Sequence, residues 1–179
     1  MAGSIVLVGM MGAGKTAVGS ELARILGLPF ADSDAEIERA AAMKITEIFA
    51  RDGEEFFRAR ETQVLSRMLA GRQGILAVGG GAWVRPENRE LISAAGVSVW
   101  LDVDSDTLWH RVRQRQSRPL LQTADPRGTL LSMLETRRPL YALADLTVSV
   151  GADDTVHATA ERVRRTLTDL RPEVLSTDA

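Results

Sequence analysis

Short apolar runs alternate with segments of helical periodicity along most of this 179-residue chain. Each run predicts a buried strand, and the five runs lie at about 5–8, 29–33, 75–78, 97–101 and 146–150. Apolar residues at helical spacing predict helices at about 17–26, 34–41, 45–51, 53–70, 86–95, 107–115, 128–143 and 155–170. Residues 116–127 hold two prolines among polar and arginine side chains, which predicts an irregular loop.

The alternation of strands and helices predicts an α/β fold, because parallel strands are joined by helices that cross over the sheet. We expect three layers, α/β/α, around a central parallel sheet of about five strands. Ligands of such folds bind at the carboxyl ends of the strands. The sequence places at those ends Gly9, Asp32, Asp34 and Gly79. The length favours one domain over residues 1–170, followed by a tail at 171–179.

The composition indicates which kinds of binding partner and which cellular compartment to expect. With 22 Lys and Arg against 24 Asp and Glu, the formal net charge is −2, so no general attraction to nucleic acid or anionic membranes is expected. The sequence contains no cysteine, which excludes disulfides and thiolate chemistry and suits a reducing compartment. The apolar segment 4–11 is shorter than the roughly 20 residues of a membrane-spanning helix. These features predict a cytoplasmic protein.

Residues 9–16, Gly-Met-Met-Gly-Ala-Gly-Lys-Thr, match the P-loop pattern G-x-x-x-x-G-K-[ST] between an apolar strand and an amphipathic helix. In a P-loop, backbone N–H groups and the helix N-terminus point at phosphates. Lys15 is expected to reach the β- and γ-phosphates of ATP, and the Thr16 hydroxyl to bind Mg²⁺. The predicted nucleotide-binding residues are Gly12, Ala13, Gly14, Lys15, Thr16 and Ala17. This motif predicts a P-loop NTPase-type fold and a magnesium-dependent small-molecule kinase.

Asp32 and Asp34 follow the second predicted strand, two residues apart, so both carboxylates can face the P-loop. In one interpretation, one carboxylate supports Mg²⁺ while the other orients an acceptor hydroxyl and takes its proton. In the alternative, Ser33 or Asp34 caps the helix that follows. The pattern leaves both interpretations open.

Three glycines and a group of arginines extend the candidate site. Gly79-Gly80-Gly81 directly follow a buried strand, where a ligand could approach bare backbone, although a flexible turn would have the same pattern. Arg58 shares its predicted helix with Glu54 and Glu61, so a surface ion-pair ladder also explains it. Arginines at about 111–127 predict a mobile lid over phosphate, with a solvated helix end as the alternative. These arginines are Arg111, Arg113, Arg115, Arg118 and Arg127.

Together these segments resemble the shikimate kinase family over about residues 4–150. The resemblance rests on the P-loop and on six further blocks: Phe30-Ala31-Asp32-Ser33-Asp34, Ile48-Phe49, Glu55-Phe56-Phe57-Arg58, Gly79-Gly80-Gly81, Arg118-Pro119-Leu120-Leu121 and Arg137-Arg138-Pro139-Leu140-Tyr141. The resemblance implies transfer of the γ-phosphate of ATP to the 3-hydroxyl of shikimate, a reaction of aromatic amino-acid biosynthesis.

The resemblance also implies roles for individual residues. The implied shikimate-binding residues are Asp34, Phe49, Phe57, Arg58, Gly79, Gly80, Gly81 and Arg137. Within this set, Arg58 and Arg137 would hold the carboxylate and Asp34 the hydroxyls. Asp32 would support Mg²⁺ with Thr16, Arg111 would stack on adenine, and Arg118 would reach the nucleotide from the lid. The implied catalytic residues are Lys15, Asp34 and Arg118.

Two features depart from the family pattern. Arg138 stands beside Arg137, and the spacing to Pro139 favours Arg137 as the carboxylate ligand. Residues 151–154, Gly-Ala-Asp-Asp, lack the basic residue and the proline often found in the family's adenine loop, which leaves backbone contacts to adenine. The alternatives are a gluconate or nucleoside monophosphate kinase, or a nucleotide-dependent switch without catalysis. We expect a monomer that binds ATP and shikimate, and neither nucleic acid nor membrane.

Overall fold

A parallel β-sheet lies at the centre of the computed structural model, which describes residues 3–71, 73–114 and 122–175. Within these residues the strands are β1 Ser4–Val8, β2 Phe30–Asp32, β3 Ile75–Ala77, β4 Gly96–Val103 and β5 Leu146–Val150. The helices are α1 Lys15–Leu26, α2 Ser33–Ala41, α3 Ile45–Gly71, α4 Pro86–Ala95, α5 Ser105–Val112, α6 Pro126–Tyr141, α7 Val156–Leu170 and α8 Pro172–Leu175. A 3₁₀ turn at Ala82–Val84 precedes α4.

The strands are parallel and lie in the order β2-β3-β1-β4-β5. Strand β1 is central, and its Ile5 is in register with Ile75 on one side and Val97 on the other. All five residues of β1 are buried, since helices cover both faces of a parallel sheet. Edge strand β5 instead alternates buried and exposed residues. The predicted three-layer α/β/α fold with a parallel sheet of about five strands is confirmed.

Two apolar clusters stabilise the fold. The larger one joins the sheet to its flanking helices, with α1 packed against α7 and α3 against α4. The smaller cluster lies between α2 and α3 and consists of Ile37, Ile48, Phe57 and Val64, with Phe49 packed against it. Burial of these four side chains stabilises the packing of α3 against α2. The packed helices lie beside the carboxyl ends of β2 and β3.

Three helices differ in detail from the pattern in the sequence. Helix α3 includes a break at Gly53, where φ is 84° and ψ is 171°, so the two helices predicted at 45–51 and 53–70 meet at this glycine. Helix α6 begins at Pro126, because proline fits the first turn of a helix. Helix α8 forms inside the segment predicted as a tail, and its Val174 is buried in the larger cluster. Among the described segments, no helix has the length and apolar character needed to cross a membrane.

Candidate active site

The P-loop at residues 9–16 leads from β1 into α1. Gly12 and Gly14 have φ values of 81° and 91°, which residues with side chains rarely adopt, and these glycines allow the tight turn into the helix. Helix α1 begins at Lys15 without a side-chain cap from the preceding Gly14. A helix N-terminus without such a cap presents backbone donors and a positive dipole end, so it suits an anion such as phosphate.

Two cationic side chains lie against the P-loop. Lys15 donates from Nζ to the carbonyl oxygens of Gly9 at 2.8 Å and Met10 at 3.0 Å. Arg111, from α5, donates from Nη1 to the carbonyl oxygens of Gly12 and Ala13 at 3.2 and 3.4 Å. The structure therefore brings an ammonium and a guanidinium group to the same loop, where both can attract a polyphosphate.

Asp32, the last residue of β2, connects the P-loop to helix α2. Its Oδ2 accepts a hydrogen bond from the Thr16 hydroxyl at 2.5 Å. Its Oδ1 accepts from the backbone N–H groups of Asp34 at 2.9 Å and Ala35 at 3.3 Å, so Asp32 is the N-cap of α2. The alternative in which Ser33 or Asp34 caps this helix is therefore wrong, because the cap position is one residue earlier.

Thr16 and Asp32 fit a hard divalent cation beside a phosphate. A hydroxyl and a carboxylate supply the oxygen ligands that such ions prefer, and the two oxygens already lie side by side. No group of three or more His, Cys, Asp or Glu side chains able to hold a metal occurs in the described part of the chain. A cation that takes most of its ligands from substrate phosphate and water needs no such group.

A small cavity of about 70 Å³ lies beside the carboxyl ends of β2 and β3. It is lined by Met11, Asp34, Ile45, Phe49, Phe57, Arg58, Glu61, Gly79, Gly80, Gly81 and Arg137. The rings of Phe49 and Phe57 are 4.8 Å apart and form one apolar side of the cavity. All eight residues assigned to shikimate by resemblance thus lie around one cavity, together with Met11, Ile45 and Glu61.

The three glycines at 79–81 make room for charged side chains. A Cβ atom on Gly79 would lie 2.7 Å from Asp34 Oδ1 and 3.0 Å from Glu61 Oε2, and one on Gly81 would collide with the Arg58 guanidinium. Hydrogen bonds also fix this segment, since Gly79 N–H donates to Ser33 Oγ at 3.2 Å. The glycines are therefore required for close approach of Asp34 and Arg58, and not for an unusual φ value.

Arg58 and Glu61 form a buried ion pair. Arg58 Nη1 lies 2.8 Å from Glu61 Oε1, and the two residues are 9% and 1% exposed. Glu54, the other candidate partner on this helix, lies 3.5 Å from Arg58 Nη2 and is largely exposed. The surface ion-pair ladder suggested by the sequence is therefore wrong for Arg58 and Glu61, because α3 turns this pair toward the cavity.

The structure separates Arg137 from its neighbour Arg138. Arg137 lines the cavity, and its buried Nη1 has no hydrogen-bond partner among the described residues. Arg138 points away, donating to Asp102 at 2.9 Å, and its guanidinium lies 5.8 Å from the ring centroid of Trp100. An unpaired buried guanidinium nitrogen is costly, so Arg137 is the arginine suited to a ligand with hydrogen-bond acceptors.

A larger cleft of about 1020 Å³ adjoins the cavity and is lined by P-loop residues. Residues that line both spaces are Met11, Asp34, Gly79 and Gly80. Residues 12–18, Asp32 and Arg111 line the cleft but not the cavity. A phosphate donor in the cleft and an acceptor in the cavity would therefore both contact Asp34.

Comparisons with known proteins agree with this arrangement. The model of the family described as shikimate kinase matches residues 11–168. The chain belongs to the shikimate kinase family. The shikimate kinase of Cereibacter sphaeroides is 59% identical over 175 residues, which cover 98% of this chain and 87% of that protein. Membership of the shikimate kinase family makes this chain an ATP-dependent phosphotransferase with an alcohol acceptor, and use of ATP implies a divalent metal.

Among solved structures, a shikimate kinase is more similar to this chain than a gluconokinase is. Shikimate kinase from Acinetobacter baumannii, in complex with shikimate, has a TM-score of 0.91, 37% identity and 96% coverage of each chain. A gluconokinase from Sinorhizobium meliloti has a TM-score of 0.63 and 20% identity, with 99% of this chain and 98% of that chain covered. At this lower identity the gluconokinase shows a shared fold alone.

The sequence did not indicate several residues that line the cavity and the cleft. Some other predicted site residues lie outside the part of the chain that the structure describes. Glu61, Met11 and Ile45 line the cavity, and His110 and Gln114 line the cleft. The only signal for Glu61 was its spacing from Arg58, which surface pairs share.

Arg115 and Arg118 lie outside the described residues, so the lid at about 111–127 and the role of Arg118 stay predictions. Arg127 lies in α6 and pairs with Asp106 at 3.3 Å.

The buried carboxyl of Glu61 predicts a particular dependence of stability on pH. Burial raises its pKa above the ordinary value of 4.5, against the opposing effect of the Arg58 guanidinium. The folded state therefore holds this proton more tightly than the unfolded chain. This contribution to stability is complete below pH 4.5 and is lost as the pH rises through the raised pKa.

Replacing Glu61 by glutamine removes this titration while keeping the size of the side chain. As the pH rises above 4.5, the stability of Glu61→Gln relative to wild type should therefore increase. Urea denaturation of both proteins at several pH values measures the difference in the free energy of unfolding. A difference that stays constant from pH 4 to pH 8 would contradict a raised pKa at Glu61.

Proposed function

We propose that this protein transfers the γ-phosphoryl group of ATP to the 3-hydroxyl of shikimate, giving shikimate 3-phosphate and ADP. The reaction belongs to aromatic amino-acid biosynthesis. One observation carries the proposal: a cavity with two arginines and an aspartate shares four lining residues with the P-loop cleft. Shikimate has one carboxylate and three hydroxyl groups, which match two guanidinium groups and one carboxylate acceptor.

On the nucleotide side, the P-loop residues are proposed to hold the phosphates. Lys15 would exchange its bonds to the loop carbonyls for the β- and γ-phosphates, and would stabilise the negative charge that develops on the transferring group. Arg111 lies at the rim of the cleft, where it can stack on the base or approach the phosphates. The closeness of both cations to the loop supports these roles.

Magnesium is the metal that we propose for this site. Thr16 and Asp32 would hold it, with the hydroxyl as a direct ligand and the carboxylate direct or through water. When bound with ATP, Mg²⁺ would supply positive charge that offsets the negative charge of the phosphates. Because Asp32 also caps α2, the position of its carboxylate is fixed by the helix that carries Asp34.

On the acceptor side, Arg58 and Arg137 are proposed to bind the shikimate carboxylate. Glu61 holds Arg58 in place, and the adjacent Phe49 and Phe57 rings would contact the apolar part of the substrate. Asp34 would accept a hydrogen bond from the 3-hydroxyl and take its proton during transfer. The bare backbone of residues 79–81, apart from the Gly79 N–H that bonds to Ser33, would face the hydroxyl groups.

We propose that the enzyme acts as a monomer in the cytoplasm. Within the described residues, one chain supplies the P-loop, Asp34, Arg58 and Arg137 that the proposed reaction uses. The absence of cysteine from the sequence suits a reducing compartment. Light scattering at the concentrations used for assays would measure the oligomeric state.

The two adjacent arginines allow a matched test of the acceptor site. Arg137→Ala should weaken shikimate binding by about 2–3 kcal/mol, roughly 30- to 150-fold, because a buried charged hydrogen bond to the carboxylate is lost. Arg138→Ala removes an arginine from the same helix that points to Asp102, so shikimate affinity should stay near wild type. Calorimetric titration with shikimate measures both, and equal effects in the two variants would place the carboxylate elsewhere.

The function itself is tested by supplying alternative acceptors. A coupled assay for ADP release is run with ATP, MgCl₂ and, in turn, shikimate, gluconate and a nucleoside monophosphate. Of the three acceptors, we expect efficient turnover only with shikimate. Efficient turnover with gluconate or a nucleoside monophosphate would overturn the substrate assignment, and ADP release that no acceptor increases would overturn the kinase assignment.

A further inference from the structure

The nucleotide cleft includes residues that the acceptor cavity does not share. Asp34 and Gly79 line both the cleft and the cavity. Val150, Asp154, Val156 and Thr159, from β5, α7 and the loop between them, also line the cleft. With the γ-phosphate directed at the acceptor, the base of the nucleotide must extend toward the part of the cleft that these residues line.

Residues 151–154 form a closed turn beside the cleft, and Asp154 is the residue of this turn that lines it. Asp154 N–H donates to the Gly151 carbonyl oxygen at 3.3 Å, and Gly151 N–H donates to Asp154 Oδ2 at 2.7 Å. Helix α7 begins two residues after the turn, with Thr155 as its N-cap. The Asp154 side chain therefore closes the turn that joins β5 to α7.

Arg162, two turns along α7, holds the same carboxylate in a bidentate pair. Its Nη1 donates to Asp154 Oδ2 at 2.7 Å, and its Nη2 donates to Asp154 Oδ1 at 3.1 Å. Its Nη1 also donates to the carbonyl oxygen of Ser149 in β5 at 2.6 Å. One guanidinium thus connects strand, turn and helix, and both oxygens of Asp154 already accept protein donors.

An ordinary surface ion pair is the simpler explanation, since Arg162 and Asp154 side chains are 43% and 22% exposed. Exposed pairs contribute little to stability. This pair differs from its neighbour Arg164–Glu161, which joins two residues of the same helix by one hydrogen bond at 2.9 Å. Arg162 instead bonds to residues of the turn and of β5, and its partner Asp154 lines the cleft.

We propose that Asp154 and Arg162 are positioning residues, which hold the turn at 151–154 in the shape that receives the base of the nucleotide. The inference rests on the proposed function, because it takes the cleft to bind ATP. Asp154 itself does not bind the base, since its oxygens are occupied by Gly151 and Arg162. The turn offers backbone groups to the base, and the ion pair sets where those groups lie.

The test separates binding of the base from binding of the phosphates. Arg162→Ala and Asp154→Asn should each raise the dissociation constant for ATP by about fivefold, the upper range for an exposed pair. The inhibition constant of inorganic tripolyphosphate, which has no base, should stay within twofold of wild type. The same should hold for the dissociation constant for shikimate. The double variant should lose no more ATP affinity than either single variant, because the two residues act as one unit.

Arg164→Ala is the matched control, since it removes an arginine from the same helix without touching the turn. We expect wild-type ATP affinity from this control and thermal unfolding near wild type for all variants. Unchanged ATP affinity in Arg162→Ala would overturn the inference, and so would an equal loss of tripolyphosphate affinity. The wild-type enzyme, assayed with shikimate in the same series, tests the proposed function separately: its failure to transfer phosphate would overturn that proposal alone.

Discussion

Replacing Lys15 by alanine should reduce phosphoryl transfer by about 10²–10³-fold or more while the protein stays folded. The Lys15 ammonium contacts the carbonyl oxygens of Gly9 and Met10, and it lies outside both apolar clusters. Its removal therefore costs little packing. In the transfer step, however, no other lysine is near to balance the negative charge that develops on the phosphoryl group.

The chain offers a natural control for this experiment, because Lys44 is its only other lysine. Lys44 pairs with Glu38 at 3.1 Å on the surface of α2, so Lys44→Ala should keep near-normal turnover. Steady-state rates and thermal melting of both variants measure the outcome. A folded Lys15→Ala protein with near-normal turnover would end the assignment of the P-loop as the catalytic phosphate site.

Asp34→Asn should lower turnover by about 10²–10⁴-fold, the usual contribution of a positioned acid or base. The substitution keeps the size of the side chain and removes its charge. Asp34 lies where the cleft and the cavity meet, with its Oδ1 directed at Gly79. The amide oxygen of asparagine can accept a hydrogen bond from the shikimate hydroxyl but does not take its proton.

The structure makes this experiment easier to interpret, because the cap of α2 is Asp32. Asp34→Asn should therefore leave the thermal stability and the ATP affinity nearly unchanged. The measurements are a melting curve, an ATP titration and the steady-state rate with shikimate. Normal stability combined with normal turnover would remove Asp34 from the catalytic site, whereas a large loss of stability would indicate a structural role.

The strands and the P-loop could be predicted from the sequence because their signals are local. Strand β1 is buried on both faces, so it appears as an uninterrupted apolar run. The P-loop needs particular residue types at fixed spacing, and it lies between a strand and a helix. These two features predict the parallel sheet and the position of the phosphate site at the carboxyl edge of that sheet.

The buried pair of Arg58 and Glu61 could not be predicted in the same way. A spacing of three residues on a helix is common to surface pairs and buried pairs, and only the packing of α3 against α2 distinguishes them. The spacing to Pro139 favours Arg137 only through the family resemblance, and the arginines alone leave the choice open. Adjacent residues of a helix point about 100° apart, so the rotation of α6 about its axis decides which arginine enters the cavity.

The lining shared by cavity and cleft has a consequence for inhibitor design. Met11, Asp34, Gly79 and Gly80 line both spaces, so one molecule with two linked parts can be designed to contact both. A carboxylate fragment linked to a nucleotide fragment would bring its second half to the site at an effective concentration near the millimolar range. Such a compound would take its affinity from the P-loop, which many kinases share. Its selectivity would come from Arg58 and Arg137.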